Sequence, residues 1–580
     1  MSVHDDRSSP ADSPEQGPDR TPPPFDEALY LRAFPDVTVA IEQGQITSGL
    51  DHYRMAGQAE GRLTHAAYLR EFEAAMGPPP RVTVDSPLRA PCGAMLIVGW
   101  TDDQEDALTE IIVDQPGVRP RPTGAIARLR RPDVEAAVGG TVINGASLHP
   151  FGFWAFAGPD PDPSAHESNP EDHCPMQLCF RSGKRQTSEQ RLEPVSNVAL
   201  MTKVLDGLAR AEYHGDRLIE TFAILDGGMG DQIVALNRMI TQSITSRAIA
   251  ERFGPKQSKL LGSIIVPIED RRNPLFVQAR AFSMQAGSDA YEFIYVINNP
   301  DLIEPLCREA HIAAQTYGVS ITLVMYPGNA GFACANNIAA GFAGSKRLLF
   351  VSPDILPRAP DWARTHARVI ADRPGHETRL FGPRLYHGDG SVTDGGLYLD
   401  VEKRISGHAN GITRRSVLRV EPLETNAPIG ITQGTSQPTS SRPVLAITDA
   451  FISMERGWFE RLNGFSEDYV GHGHADADLC LRSLAAGTVA WTHDLPMWHL
   501  GGRITTQSPA QDGGSLVDRW LFSRAWQPVL GEELLGPTPN HPLLAVTTEP
   551  LAQVTTPERP AAPSRSRRAA PARTKSGAGA

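Results

Sequence analysis

From Lys259 onward, short apolar runs alternate with helix-like segments, and this alternation limits the possible folds more than any other feature of the chain. Strand-like runs of β-branched and apolar residues recur between residues 259 and 352: SIIVPI, FIYVI, SITLVMY and RLLFVS. Strands that alternate with helices over short connections predict a parallel sheet with right-handed crossovers. In such sheets the ligand binds at the carboxyl ends of the strands.

The run RLLFVS is followed directly by Pro353 and Asp354, so a carboxylate is expected at the carboxyl end of a buried strand. Divalent cations such as Mg²⁺, and the phosphates that they bridge, require oxygen ligands of this kind. A second acidic cluster, HADADLCLR, places Asp476 and Asp478 on either side of one alanine. Two acidic sites in apolar surroundings indicate metal-assisted chemistry on a phosphorylated substrate.

Two common nucleotide-binding patterns do not occur in this part of the chain. Neither the Gly-x-Gly-x-x-Gly dinucleotide fingerprint nor the Gly-x4-Gly-Lys-Ser/Thr phosphate loop matches the segments after these runs. Hydride transfer and ATP hydrolysis of those types are therefore not expected.

Length and composition set broader limits. A chain of 580 residues is too long for one core, which predicts several domains. The net charge of −12 argues against a nucleic-acid partner, because neutralising phosphates requires a basic surface. No apolar run approaches the ~20 residues of a transmembrane helix, and six cysteines form no disulfide framework. We therefore expect a cytoplasmic protein.

Composition and periodicity divide the chain into successive segments. We predict, in order, a disordered segment (1–24), a small helical module (25–80), a β-rich sandwich-like domain (86–195), a helical connector (196–257), the α/β domain (258–505), a C-terminal extension (506–546) and a disordered basic tail (547–580). Aromatic residues of the β-rich domain, such as Trp154, suit either sugar stacking or a core, and the core is favoured. The basic tail is either merely solvated or a point of peripheral contact with the inner membrane. The two N-terminal modules are candidate surfaces for a protein partner.

Collinear motifs in the α/β domain resemble those of family 2 glycosyltransferases, closest to the rhamnosyltransferase-like branch that builds bacterial surface polysaccharides. They are SIIVPI, YVINNPD, NAGFACANN, LLFVSPDILP, LYHGDGSVTDGG, TDAFISMERGWFERLNGFSEDYVGHGHADADLCLRSLAAG and MWHLGG. The resemblance covers about residues 259 to 505. It implies a GT-A fold with a mostly parallel sheet, a nucleotide-sugar donor, a glycan or lipid-linked acceptor, and inversion at the anomeric carbon.

The resemblance also implies roles for individual residues. Asp354 is the acid that remains of the family's Asp-x-Asp motif, where Ser352 replaces the first aspartate, and it would bind Mg²⁺ or Mn²⁺ together with His499. His493 competes for this second role. The expected donor-binding residues are Pro267, Ile268, Glu269, Asn298, Asn299, Asn329, Gly331, Asn337 and Ser352. The pair Asn298-Asn299 equally suits a simple turn, and Asn337 a helix start.

Asp476 aligns with the catalytic base of the family's Glu-Asp-x-Asp-Leu segment, and Ala475 stands where the glutamate is usual. A base must remove the acceptor's hydroxyl proton as the oxygen attacks the sugar. Asp389, Trp458 and Asp478 would lie towards the acceptor. Trp458 equally suits a core anchor. For Asp478 a local cap or pair with Arg482 is favoured.

Two further hypotheses remain open. The replaced acids at Ser352 and Ala475 are typical of a retired active site, which would leave a catalytically inactive protein that binds glycans or nucleotide sugars. A nucleotidyltransferase shares the fold class, but its Gly-rich, Lys-containing loop after the first strand is not found in IEDRRNP.

Overall fold

The computed structural model describes most of the chain between residues 25 and 544. The described residues are 25, 27, 30–31, 34–57, 60, 80–85, 87–103, 107–114, 120–138, 142–143, 146–147, 151–160, 173–211, 216–270, 275–284, 287–408, 411–423, 441–471, 473–501, 508–539 and 541–544. The segments 1–24 and 547–580, which the sequence predicts to be disordered, lie outside these residues. No helix of the described part is both long enough and apolar enough to cross a membrane.

The first unit consists of short helices, as predicted. Helix α1 (Pro35–Glu42) carries its proline in the first turn, and α2 (Gly49–His52) is capped by Ser48, whose hydroxyl accepts a hydrogen bond from the Asp51 amide. A π-helical turn follows at Tyr53–Gly57.

The next unit is a β-sandwich. Its strands are β1 (Val82–Val84), β2 (Leu88–Arg89), β3 (Met95–Thr101), β4 (Leu108–Val113), β5 (Arg121–Pro122), β6 (Ala127–Leu129), β7 (Val142–Ile143), β8 (Ala146–Ser147), β9 (Gly152–Ala157), β10 (His173–Phe180), β11 (Arg185–Arg191) and β12 (Glu193–Pro194), with helix α3 (Pro132–Val138) after β6. One sheet has the order β12-β2-β3-β9-β6 with β1 beside β3, and the other β11-β10-β4-β5. Alternate residues of both sheets, such as Ile97, Phe153 and Met176, fill the core between them.

The opposite face of the first sheet is also covered. Leu96, Trp154 and Phe156 on that face belong to the same hydrophobic core as the connector helices. These helices are α4 (Asn197–Arg210), α5 (Arg217–Ile224) and α6 (Gly230–Thr245), with a π-helical turn at Leu225–Met229 between the last two. Trp154 is 1% exposed, so it is a core residue and not a sugar-stacking surface.

The α/β domain contains an 11-stranded mixed sheet. Its chain runs through β13 (Ile249–Phe253), β14 (Gly262–Ile268), α7 (Leu275–Ser283), β15 (Tyr291–Ile297), α8 (Ile303–Tyr317), β16 (Ile321–Met325), α9 (Gly331–Phe342), β17 (Arg347–Val351), β18 (Ile355–Pro357), α10 (Trp362–Asp372), α11 (Gly375–Thr378), β19 (Leu380–Tyr386), β20 (Val392–Asp394), β21 (Leu397–His408), β22 (Gly411–Pro422), β23 (Arg442–Val444), β24 (Phe451–Glu455), α12 (Arg456–Arg461), α13 (Ala475–Ala485) and β25 (Ala490–His499). Short 3-10 turns lie at Ser288–Ala290 and Pro300–Leu302.

The sheet order is β13-β16-β15-β14-β17-β24-β19-β25-β18, with β20 beside β19 and β23 beside β25. The parallel part, β16-β15-β14-β17, consists of the strands that the sequence predicts. Most of the remaining contacts are antiparallel, and β21 pairs with β22 in a separate hairpin. The predicted fold class, an α/β domain behind a helical module and a β-sandwich, is confirmed.

One segment differs from its predicted description, and a second has structure that the sequence does not predict. Residues 249–253, which the sequence places in the helical connector, form β13 and pair antiparallel with β16 at the edge of the large sheet. The C-terminal extension contains helix α14 (Pro509–Trp526) and a 3-10 turn at Glu532–Leu534. Val517, Trp520 and Phe522 of α14 are buried in the core shared by the connector and the α/β domain.

Candidate active site

A cavity of about 250 Å³ opens at the carboxyl ends of β14 and β17. This is the edge at which the sequence predicts ligand binding. The cavity is lined by Pro267, Glu269, Asp270, Phe332, Val351, Ser352, Pro353, Asp449, Ala450 and His499.

Asp354 and His499 meet at the rim of this cavity. The antiparallel pairing of β18 with β25 places Ile355 opposite His499, and the His499 Nε2 lies 3.3 Å from the Asp354 Oδ2. The Ser352 hydroxyl donates to the other carboxylate oxygen at 2.6 Å. Burial raises the pKa of Asp354, but hydrogen bonds from His499 and Ser352 outweigh it and hold the pKa below its usual value. Asp354 is therefore a charged carboxylate at neutral pH.

Gly501 keeps the space beside this carboxylate open. A Cβ atom at Gly501 would lie 2.1 Å from the Asp354 Oδ2, which no side chain tolerates. The Leu500 amide donates to the Asp354 carbonyl at 3.1 Å. Leu500 and Gly501 of MWHLGG therefore pack directly against Asp354.

A divalent cation fits the pair of Asp354 and His499 as a partial ligand set. Two ligands at right angles on one cation, each about 2.1 Å from it, lie about 3 Å apart, close to the 3.3 Å between the two side chains. No group of three or more His, Cys, Asp or Glu side chains in the described part of the chain is arranged to hold an ion. The remaining ligands of a cation here would be substrate oxygens and water.

Asp449 and Asp476 form a second acidic group in the same cavity region. Asp476 lies in the first turn of α13, and its carboxylate accepts hydrogen bonds from the Asp449 amide at 2.9 Å and the Ala477 amide at 2.7 Å. Burial and the Asp476 carboxylate raise the pKa of Asp449 to about 8. Burial also raises the pKa of Asp476. The pair therefore retains a proton at neutral pH, which suits acid–base chemistry.

The sequence analysis missed Asp449. This residue belongs to the quoted segment TDAFISM and directly precedes the run that becomes β24. Because β24 pairs antiparallel with β17, with Phe451 opposite Val351, the start of β24 lies at the end of β17. Asp449, which precedes β24, therefore lies at the same edge of the sheet as Asp354, which follows β17. Asp449 could not be placed there from the sequence, because the sequence does not show that β24 runs antiparallel to β17.

The predicted donor-binding residues divide into cavity-lining and supporting groups. Pro267, Glu269 and Ser352 line the cavity, whereas Ile268 is 1% exposed and packs in the core below it. Asn299 donates to the Glu269 carbonyl at 3.2 Å and accepts from the Asp301 amide at 3.1 Å, which is the turn that its sequence context also suits.

Asn298 is a buried support for the cavity wall. Its side-chain amide donates to Glu269 Oε1 and to the Gly331 carbonyl, each at 3.4 Å. Its oxygen accepts hydrogen bonds from the Tyr326 hydroxyl and the Ala330 amide. Asn298 therefore links the loop after β14 to the loop before α9.

The predicted donor-binding residues of the segment NAGFACANN do not form one group. Asn329 accepts from the Gly331 amide at 2.8 Å, and Gly331 has φ +74°, a conformation that favours glycine. Asn337 lies near the middle of α9, and its side-chain amide donates to the Phe465 carbonyl at 2.9 Å and to Glu467 at 2.8 Å. None of the three lines the cavity around Asp354. Phe332, the neighbour of Gly331, does.

The residues expected on the acceptor side are not grouped together. Trp458 is 5% exposed, and its indole N–H donates to Ser483 at 2.9 Å, so it is a core anchor and not an acceptor-facing surface. Asp478 is buried and pairs with Arg482 at 2.8 Å, the alternative that the sequence favours. Asp389 is exposed and accepts from the Ser391 amide at 2.9 Å within a turn.

His493, the competitor of His499, lies elsewhere. Its ring is 2% exposed, stands 5.0 Å from the ring of Phe381, and bonds through Nε2 to the Glu377 carbonyl at 2.9 Å. Of these two histidines, His499 is the one that contacts Asp354.

Comparison with known proteins found distant relatives, and no protein-family model matches the chain. The chain is 24% identical over 246 residues to the uncharacterized protein y4gI of Sinorhizobium fredii and 25% identical over 270 residues to the O-antigen biosynthesis protein RfbC of Myxococcus xanthus. These matches cover 42% and 46% of this chain but only 25% and 19% of the relatives. Among solved structures, GalNAc-T7 with UDP, GalNAc and Mn²⁺ is similar over 47% of this chain and 51% of its own, at 15% identity and a TM-score of 0.32.

Proposed function

We propose that this chain is a divalent-cation-dependent glycosyltransferase, which moves a sugar from a nucleotide-sugar donor to a hydroxyl acceptor with inversion. The observation that carries this proposal is one cavity at the strand ends, which is lined by His499 of the charged Asp354–His499 pair and by Asp449 of the proton-holding Asp449–Asp476 pair. The name of the RfbC relative supports a role in surface polysaccharide synthesis.

The Asp354–His499 pair serves the donor side. A bound Mg²⁺ or Mn²⁺ would supply Lewis-acid stabilisation of the departing diphosphate. Asp354 and His499 hold that position, and Ser352 keeps the Asp354 carboxylate oriented through its hydrogen bond. Pro267 and Glu269 line the part of the cavity that would receive the nucleoside.

Asp476 serves the acceptor side as the general base. Its carboxylate is held by two backbone amides and stands beside the Asp449 carboxyl. Because burial raises its pKa, Asp476 is a stronger base than a solvated aspartate. Inversion needs only one such base opposite a leaving group that the cation stabilises. The acceptor is proposed to be a glycan or a lipid-linked sugar, with the N-terminal modules and the basic tail as candidate contacts to a protein partner and to the membrane surface.

A catalytically inactive nucleotide-sugar-binding protein is the second candidate. The described residues provide two protein ligands for a cation rather than three, and Ser352 and Ala475 stand where the resemblance implies acids. A binding protein needs the donor cavity but has no use for a base, so the role of Asp476 separates the two candidates.

The test is a nucleotide-release screen with UDP-, GDP- and dTDP-sugars and Mn²⁺, in parallel with calorimetry. We expect turnover with one nucleotide class and an Asp476→Asn variant that binds the donor normally but turns over at least 100-fold more slowly. Asp354→Ala should weaken donor binding in Mn²⁺. Asp494→Asn, an exposed aspartate on the same strand as His499, is the matched control.

The outcomes are distinct. Normal turnover by Asp476→Asn would show that the base is another group. Donor binding without release, in the presence of a panel of acceptors, would favour the binding protein. Proton NMR of the product's anomeric signal then reports inversion or retention directly.

A further inference from the structure

Helix α14 packs closely against two parts of the chain that are distant in sequence. A Cβ at Gly513 would lie 2.0 Å from the Leu205 carbonyl of α4, and a Cβ at Gly230 of α6 would lie 2.4 Å from the Trp520 ring. Both glycines therefore permit close helix packing. These contacts hold α14 against the connector helices α4 and α6.

One ridge of α14 faces the chain that leads into α13. Asp518, Phe522 and Trp526 are spaced four residues apart, so they lie on the same face of the helix. We call these three residues the α14 ridge. The helix α13 that it faces carries Asp476 in its first turn.

Asp518 holds the loop immediately before α13. Its carboxylate is 0% exposed and accepts from the Val470 amide at 2.6 Å, the Gly471 amide at 3.0 Å and the Gly473 amide at 3.2 Å. A buried carboxylate that accepts several backbone N–H groups is satisfied without a cation. A Cβ at Gly471 would lie 2.8 Å from the Asp518 Oδ2, so the fit depends on glycine there.

Phe522 and Trp526 hold the residues on either side of Asp476. The His474 ring stands 5.0 Å from the Phe522 ring, and His474 has φ +69°, a strained conformation for a residue other than glycine. The Trp526 indole N–H donates to the Asp478 carboxylate at 2.9 Å, and Arg482 donates to its other oxygen at 2.8 Å. The residues two before and two after Asp476 are therefore both contacted by α14.

We propose that the α14 ridge positions Asp476 for proton transfer, with Asp518 as its main positioning residue. This inference rests on the proposed function, because the base role of Asp476 does. Asp518 accepts hydrogen bonds from backbone amides of the loop before α13, and we place its action on that loop. The Asp354–His499 pair lies where β18 begins and β25 ends, and these two strands pair with each other. We therefore expect donor binding to be independent of the ridge.

The Asp518→Asn variant tests this proposal. Asparagine has nearly the same shape as aspartate, but its NH₂ group would face the backbone amides that the carboxylate accepts from. We expect kcat per folded enzyme to fall at least 30-fold, while the donor KM in Mn²⁺ stays within twofold. Trp526→Phe removes one hydrogen bond to Asp478 and should lower kcat three- to tenfold. Asp512→Asn, the same change at an exposed position of α14, is the control and should retain normal kcat. Asp518→Glu, which retains the carboxylate, should recover part of the loss.

Amide hydrogen exchange supplies a readout that does not need activity. In Asp518→Asn, but not in Asp512→Asn, amides of 469–478 should exchange at least tenfold faster, while those of β18 and β25 stay unchanged. A normal kcat per folded enzyme in both Asp518→Asn and Trp526→Phe overturns the proposal. If the wild type turns over no donor, the proposed function fails, and exchange then decides whether the ridge holds this loop. Unchanged exchange overturns the ridge as well. If Asp518→Asn does not fold, Trp526→Phe decides by the same measurements.

Discussion

Replacing Asp449 by asparagine should make the protein more stable at alkaline pH. Burial and the Asp476 carboxylate raise the pKa of Asp449 from 3.8 to about 8, so the folded protein binds this proton more tightly than the unfolded chain. Folding stability is therefore lost as the pH rises between about 4 and about 8. At 1.36 kcal/mol per pKa unit the full shift would be about 6 kcal/mol. Solvent in the cavity screens the charge, and we expect about 1–2 kcal/mol to remain.

Urea denaturation of the metal-free protein at about pH 5 and about pH 8 measures this difference. Between these two pH values, the wild type should lose about 1–2 kcal/mol more unfolding free energy than Asp449→Asn. Groups that do not interact with Asp449 cancel in this double difference, so it reports the titration of the Asp449–Asp476 pair. Asp494→Asn, on an exposed part of β25, should follow the wild type. Identical pH dependence in the wild type and Asp449→Asn would refute the assignment of a raised pKa to this residue.

Three other substitutions test the placement of single residues. Gly501→Ala places a Cβ 2.1 Å from the Asp354 Oδ2 and should weaken Mn²⁺-dependent donor binding at least tenfold by calorimetry. Gly341→Ala is the control and should bind normally, because a Cβ there meets no atom within 4 Å outside its own helix backbone and chain neighbours. His499→Gln removes the imidazole that lies 3.3 Å from Asp354. It should weaken Mn²⁺ binding while leaving the thermal midpoint of unfolding within a few degrees. Unchanged Mn²⁺ affinity would show that His499 is not a ligand. Trp458→Ala opens a cavity in the core and should cost about 3–5 kcal/mol in urea denaturation, and a selective rise in acceptor KM without loss of stability would instead place Trp458 at the acceptor.

The parallel half of the large sheet was predictable because each of its strands can be recognised from its own short stretch of sequence. β14, β15, β16 and β17 are buried nearly throughout, so each reads as a continuous apolar run between helices. The antiparallel half carries no such signal. Its pairings, such as β24 with β17, join segments about one hundred residues apart, and sequence periodicity does not encode which strands pair or in which direction. Asp449 was missed for this reason, although Asp354 at the same edge was found.

The same limit explains the residues whose surroundings differ from their predicted roles. Asn337 and Trp458 lie in segments with clear motifs, and the motif gives their position in the chain but not the direction of the side chain. Asn337 faces the loop at Phe465, and Trp458 faces Ser483 in the core. The proposed role of α14 could not be predicted from the sequence. Asp518 binds backbone amides, which every loop residue other than proline has, so only Gly471 and Gly473 distinguish this loop.

The two replaced acids, Ser352 and Ala475, take on a different meaning in the structure. Ser352 donates a hydrogen bond to Asp354 and so supports the acid that remains. Ala475 is 3% exposed and packs in the core, where a glutamate would be buried. The second acid beside Asp476 is instead Asp449, from the loop before β24. Holding two carboxyl groups together in a half-buried site destabilises the fold, and a protein that only binds nucleotide sugars has no use for this arrangement. The substitutions therefore do not argue for a retired site, and the Asp449–Asp476 pair favours the enzyme.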